Sequence, residues 1–492
     1  MQAPCLLAGA CFYSLVLYNH LFLINDYDFN GDRYDTSSQE VRELATIRIK
    51  NATIVTMNTN RDVFTGSVLV RDDRIARVST EIPPDEIVDE EIDAHGGLLI
   101  PGLVQSHVHL CQTLFRGRAD DLELLDWLSK RIWPLEGAHD ADSVYYSALL
   151  GIGELFAGGT TAIIDMETVH HTDSAFEAIR TSGIRVLSGK CMMDWGGDVP
   201  ATLMESTEDS LRESVDLLEK WDGAENGRIR YAFAPRFAIS CSDALLREVQ
   251  KLSRQYGVKV HSHASENRGE IAIVERERGM RNVMYFEHLG LADENLILAH
   301  CIWLEKNEME ILAKKQVRIA HCPSCNMKLA SGFAPVPELL YNGAQVSIGA
   351  DGAPANNNLD MFMEMRMAAL IHKPGRGPRV LPAQEVFELA TRGGAAAMGL
   401  EDEIGSLEVG KKADLALVDT RALHFAPADG VDVYAQLVYE ARANDVALTM
   451  VDGRIVYRDG QLTTIDADDV RKNCSRLIRQ KCNVALGGFS EH

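Results

Sequence analysis

The sequence predicts an α/β fold: a (β/α)8 TIM barrel joined to a small β-sandwich domain built from N- and C-terminal segments. Three observations lead there. Eight short apolar runs alternate with helix-period segments through the middle of the chain. Short alternating segments punctuated by turns precede and follow them. Each apolar run also ends in polar, reactive residues, and the C-terminal strand ends of a barrel are where its chemistry collects.

The elements follow in order. Residues 1–45 read as an N-terminal extension, apolar and then polar, that is poorly ordered. Its run LLAGACFYSLVLYNHLFLI (Leu6–Ile24) has no charge and is long enough for a signal h-region or a marginal span. No Lys or Arg precedes it, and Asn19 and His20 interrupt it. A targeting segment, a membrane anchor and an upstream start codon all stay open. Residues 46–100 and 401–465 carry the hairpin texture and are expected to share one β-sandwich, with Asp452-Gly453 as a turn. Residues 101–400 are expected to form the barrel and 466–492 a C-terminal helical tail. The strand runs are LLIPGLVQSHVH, TTAIIDME, IRVLSGKCMM, IRYAFAPRF, VKVHSHASE, LILAHC, VRIAHCPS and VSIGADG.

Composition narrows the function. The 492 residues are 46% hydrophobic, enough for a large core, and Asp plus Glu outnumber Lys plus Arg by 72 to 49. The resulting formal charge of −23 repels nucleic acid backbones and anionic membranes, so neither is expected as a partner. Ten cysteines without a framework of spacings read as free thiols in a reducing compartment, and the protein is expected to be cytoplasmic.

The first run delivers His107 and His109, two residues apart, to one face of a strand. The fifth run offers His263, the sixth His300 and the eighth Asp351. Neutral imidazoles and a carboxylate, with one position left for water, suit Zn²⁺ or Fe²⁺, and a bound water can then have its pKa lowered to about 7. Any one of these residues alone fits an ordinary core histidine or a turn aspartate. All five at strand ends point to a hydrolytic metal site.

PGLVQSHVHLCQTLFRG, VHSHASE, LAHC, HCPSCNMKLASG and IGADGAPANNN together resemble the amidohydrolase superfamily. Within it they are similar to the aromatic deaminase and triazine hydrolase branch, which includes deaminases of 5′-deoxyadenosine, methylthioadenosine and S-adenosylhomocysteine. The resemblance implies His107, His109, His263 and Asp351 as ligands of one divalent metal, Zn²⁺ before Fe²⁺. It implies His300 beside the metal water, Glu266 as the proton shuttle and Asp351 as acceptor of the water proton. Two-metal members carry a carboxylated lysine or a glutamate at the fourth strand end, where this chain has Arg236, so one metal per subunit is expected.

The same resemblance orders the substrates. Glu136, in a Pro-x-Glu context, matches a glutamate that binds ribose hydroxyls; Pro235-Arg236-Phe237 resembles a guanine deaminase pattern in which Arg and Phe contact the purine. Trp133 is a further substrate-binding candidate. No arginine lies between Lys190 and Leu211 to hold a homocysteine carboxylate, which favours a 5′-deoxy or 5′-methylthio adenosine. The expected reaction is hydrolytic deamination of an adenine-type nucleoside, a small-molecule heterocycle, by a homo-oligomer (dimer or tetramer). The alternatives are a guanine- or pterin-type base deaminase and an s-triazine chloro- or aminohydrolase on the same scaffold. Cys322-Pro-Ser-Cys325 stands without a second pair and reads as structural, and His170-His171 reads as a loop pair.

Overall fold

The two hydrophobic textures of the chain become two sheets. In the computed structural model, which describes residues 45–486 apart from Ile82, Pro84 and Asp85, the alternating N-terminal segment forms β1 (Thr46–Val55), β2 (Val63–Arg71), β3 (Arg74–Ser79), β4 (Glu90–Asp93) and β5 (Leu98–Pro101). The barrel strands are β6 (Leu103–Val108), β7 (Thr160–Asp165), β8 (Arg185–Ser188), β9 (Cys191–Met192), β10 (Ile229–Pro235), β11 (Lys259–Ala264), β12 (Leu296–His300), β13 (Arg318–His321) and β14 (Gln345–Ile348). The chain then returns to the first sheet with β15 (Leu415–Val418), β16 (Val446–Val451), β17 (Arg454–Arg458) and β18 (Gln461–Leu462). The Leu6–Ile24 run and the polar stretch behind it lie outside the described residues.

The first sheet joins the two ends of the chain in the order β18-β17-β16-β15-β5-β1-β2-β3, with β4 beside β1. Its seam is the antiparallel pair β5 and β15, where Leu99 faces Leu417. Ile49, Ile54, Val68, Val70, Leu415, Leu448 and Met450 share one apolar cluster inside it. The turn between β16 and β17 falls at Asp452-Gly453, as the sequence predicts. Gly453 has φ 76° and a Cβ there would lie 1.7 Å from the Asp72 carbonyl oxygen, so only glycine fits.

The second sheet runs β6-β7-β8-β10-β11-β12-β13-β14, parallel throughout, with β9 added beside β10. It closes on itself where the Ser106 hydroxyl donates to the Ile348 carbonyl (3.1 Å) and the Asp351 amide to the His107 carbonyl (2.9 Å). This is a (β/α)8 barrel with a separate sheet of N- and C-terminal strands. Val104, Ala162, Ile164, Leu187, Ala232 and Ile297 pack with Ala395, Ala397 and Met398 to fill one end of it. Arg185 on β8 reaches across to the first sheet, donating to Asp414 (2.7 Å) and Asp452 (3.0 Å) where all three are buried.

One predicted strand divides. The continuous run from Leu98 to His109 is β5 in one sheet and β6 in the other. An apolar pattern satisfies burial in either sheet, and the break falls at Gly102, where a Cβ would meet the Thr161 hydroxyl at 2.0 Å. The C-terminal segment forms a helix, Ala467–Leu486, tied to the helix Ala141–Ala157 by the Tyr146 hydroxyl bond to Asp469. Among the described residues no helix is long and apolar enough to cross a membrane.

Candidate metal and catalytic site

The C-terminal ends of β6, β11, β12 and β14 converge. β6 and the residue after it bring His107 and His109, β11 brings His263, β12 His300, and the turn after β14 Asp351. Asp351 Oδ1 lies 3.4 Å from His107 Nε2 and 3.3 Å from His109 Nε2, and His263 Nε2 lies 3.3 Å from His109 Nε2. The other ring nitrogens are engaged from behind. Nδ1 of His109 faces the Met166 carbonyl (2.9 Å), that of His263 the Arg236 carbonyl (2.8 Å) and that of His107 Nε2 of His261 (2.9 Å). A proton on the two carbonyl-facing Nδ1 atoms leaves the Nε2 lone pairs pointing inward, the arrangement of metal-ligating histidines. His107 Nε2 is buried without a hydrogen-bond partner. Such an orphan, within 4.8 Å of the donor atoms of His109 and His263, fits a ligand position.

Electrostatics agree with that geometry. Burial lowers His263 well below the usual histidine range and His107 to about 4, so both rings are neutral near pH 7. Burial alone would raise Asp351, but the close approach of His107 (3.4 Å) and the neighbouring imidazoles of His109 and His300 outweigh it and hold the carboxyl well below its ordinary value. Glu266 goes the other way: burial first, then repulsion from Asp351 and Glu270, pushes it well above the usual carboxyl range. Its Oε2 is 3.4 Å from His300 Nε2, whose Nδ1 is held by Asn326 Oδ1 at 2.9 Å. His300 (φ 75°) and Asp351 (φ 65°) both have left-handed backbone, which costs about 1–3 kcal/mol each and persists where the surroundings over-determine it. Here the barrel-closing bond from the Asp351 amide to the His107 carbonyl holds the turn.

A narrow pocket opens onto these groups, lined also by Gln112, Leu124, Trp127, Leu128, Arg236 and Phe237. The Phe237 ring stacks on His263 with centroids 4.5 Å apart. Arg236 is committed to a partner: its Nη1 lies 2.5 Å from Glu136 Oε2 and its Nη2 3.2 Å from Glu136 Oε1, which also accepts from Gln112 Nε2 at 2.8 Å. Glu136 therefore stands behind Arg236 and Gln112 with both oxygens engaged. Gln112 Oε1, Arg236 Nε and the Trp127 indole N–H are left buried without partners along this wall. Trp133 packs in the apolar cluster with Trp127 and Phe237 and is not among the cavity-lining residues.

The match to known proteins covers this architecture. The model of the Amidohydrolase family matches residues 98–456, from β5 through most of β17. The chain belongs to the amidohydrolase family. This amidohydrolase is 39% identical over 436 residues to a 5′-deoxyadenosine deaminase of Methanobrevibacter smithii, an alignment covering 88% of this chain and 98% of the relative. It is 40% identical over 420 residues to a 5-methylthioadenosine/S-adenosylhomocysteine deaminase of Desulforudis audaxviator, covering 85% and 95%. Among solved structures, an adenosine deaminase from Xanthomonas campestris with bound zinc superposes with a TM-score of 0.81 at 32% identity, over 88% of this chain and 98% of that one. The cofactor of this amidohydrolase is a divalent metal.

Several residues of the site were not singled out from the sequence. His261 sits two residues before His263 and backs His107, and the i,i+2 spacing that flagged His107 and His109 would have flagged it. Both cysteines of the Cys322-Pro-Ser-Cys325 pair lie in the apolar cluster, and Cys325 also reaches Asp351 Oδ2 at 2.7 Å, so that half of the pair borders the site. Trp127 and Gln112 had no signal of their own. Only the barrel's closure brings them to the wall.

Proposed function

We propose that this amidohydrolase is a hydrolytic deaminase that removes the ring amino group of an adenine-type nucleoside as ammonia, with 5′-deoxyadenosine or methylthioadenosine as substrate class. The observation that carries the reading is the pairing of two oppositely tuned carboxyl groups around His300. Glu266, pushed well above the usual carboxyl range by burial, is 3.4 Å from its Nε2, and Asp351, held well below that range, is 4.0 Å from the same atom. The relatives, at 39–40% identity, bear deaminase names for 5′-substituted adenosines.

His107, His109, His263 and Asp351 would hold one zinc ion per subunit. When bound, that ion acts as a Lewis acid that brings the pKa of water toward neutrality. Asp351 accepts the proton of the water that attacks the ring carbon bearing the amino group. Glu266 donates its proton to the adjacent ring nitrogen, takes a second from the hydroxyl added to the ring carbon and relays it to the departing amine, leaving a ring carbonyl and free ammonia, and the proton on Asp351 restores Glu266 through solvent. His300 sits between the two carboxyl groups and stabilises the developing charge on the attacking oxygen. Phe237 offers a face for the heterocycle, and Arg236, Gln112 and Trp127 offer the unpaired polar atoms that orient it. The eight described cysteines are all buried free thiols, which supports a cytoplasmic setting. We read the assembly as a homo-oligomer, by the same resemblance to the family.

Ammonia release is measured across 5′-deoxyadenosine, methylthioadenosine, adenosine, guanine, pterins and s-triazines. The highest kcat/KM is expected on the 5′-deoxy and 5′-methylthio adenosines. Turnover confined to triazines or to free bases would overturn the assignment.

A further inference from the structure

We propose that Cys325, His300, Glu266 and Asp351 form a second, inhibitory cation site for a thiophilic divalent ion. It rests on the reading of His107, His109, His263 and Asp351 as the first metal site and lies directly beside it. Asp351 faces both ways: Oδ1 is turned to His107 and His109, and Oδ2 lies 2.7 Å from Cys325 Sγ and 4.0 Å from His300 Nε2. Donor atoms of Glu266, His300 and Cys325 all fall within 4.8 Å of one another, and all three residues are buried. Asn326 at Nδ1 leaves the His300 Nε2 lone pair directed into the cluster, and Glu266 Oε1 is buried without a partner.

One sulfur, one imidazole and two carboxylates make a four-donor set suited to Zn²⁺ or Cd²⁺. The first site offers only nitrogen and oxygen, so sulfur distinguishes the two. Binding forms a bond to Cys325 Sγ and releases the thiol proton to solvent; no electron is transferred. The ion then occupies Asp351 and Glu266, the two side chains that move protons in the reaction, and His300 between them. A second cluster outside the cavity, His170, Glu205 and Glu213, lacks this character because the Lys190 ammonium already lies 2.7 Å from Glu205.

The test uses holoenzyme carrying one zinc per chain, titrated with Cd²⁺. Non-denaturing mass spectrometry counts the ions, ultraviolet absorption reports thiolate-to-cadmium charge transfer, and ammonia release is followed in parallel. A second equivalent is expected to bring the thiolate absorption and loss of activity together, both reversed by a mild chelator. Cys325→Ser is expected to abolish the absorption and raise the inhibitory Cd²⁺ concentration at least tenfold relative to that variant's own uninhibited rate, whereas Cys322→Ser keeps both effects. A second equivalent without thiolate absorption, or inhibition unchanged in Cys325→Ser, would overturn the inference alone. Thiolate absorption that tracks occupancy of a single ion would overturn it together with the reading of the first site.

Discussion

Replacing Arg236 with methionine removes a guanidinium from a salt bridge whose two side chains are 3% and 2% exposed. Glu136 would be left buried with one donor, Gln112 Nε2 at 2.8 Å. Breaking a buried pair from one side costs about 3–5 kcal/mol, whereas removing both charges costs far less, because no unpaired ion is left in the interior. Arg236→Met and Glu136→Gln are each expected to destabilise by roughly that amount, and the double variant to recover most of it, giving a coupling energy of about 5–8 kcal/mol. Urea unfolding of the metal-loaded protein, followed by circular dichroism at unchanged m, measures the cycle. Burial would raise the Glu136 carboxyl, but the Arg236 charge and hydrogen bond outweigh it and lower the group below its ordinary 4.5. The increment is therefore present above pH 4.5 and lost as pH falls through the lowered value, so wild type and Arg236→Met converge in acid. A single substitution costing less than about 1 kcal/mol, or strict additivity in the double variant, would refute this account of the wall.

Two further outcomes follow from the site. Glu266→Gln keeps the shape of the side chain but removes the proton it relays, and kcat is expected to fall about 10²–10⁴-fold with the metal content unchanged; a near wild-type rate with metal bound would remove Glu266 from the mechanism. Stripping the ion with a chelator is expected to abolish ammonia release and lower the calorimetric unfolding temperature. Zinc at a thousandfold over its Kd should restore about 4 kcal/mol, and an unfolding temperature indifferent to zinc would count against the four-ligand reading.

The parts of the protein legible in the chain were those that periodicity and spacing encode. Each of the eight apolar runs supplies a barrel strand, since a strand buried on both faces must be apolar along its length, and the first also extends into the other sheet as β5. The wall of the cavity was not legible in this way. Glu136 and Arg236 are 100 residues apart, and each read as a group for substrate; their mutual salt bridge depends on where β10 and the segment after β6 meet. Cys325 was taken as structural because its spacing to Cys322 gave no sign of Asp351 across the barrel mouth.

By itself the sequence determined the fold class and the order in which strand ends present the candidate histidines and carboxyl groups, because these are one-dimensional patterns of burial and residue type. Only the tertiary structure decided which atom meets which. It divided the Leu98–His109 run between two sheets at Gly102, turned the two Asp351 oxygens toward different partners, and tied Glu136 to Arg236. Those outcomes depend on the closure of the barrel, which brings residues distant in the chain within hydrogen-bond reach and sets the burial that shifts their charge.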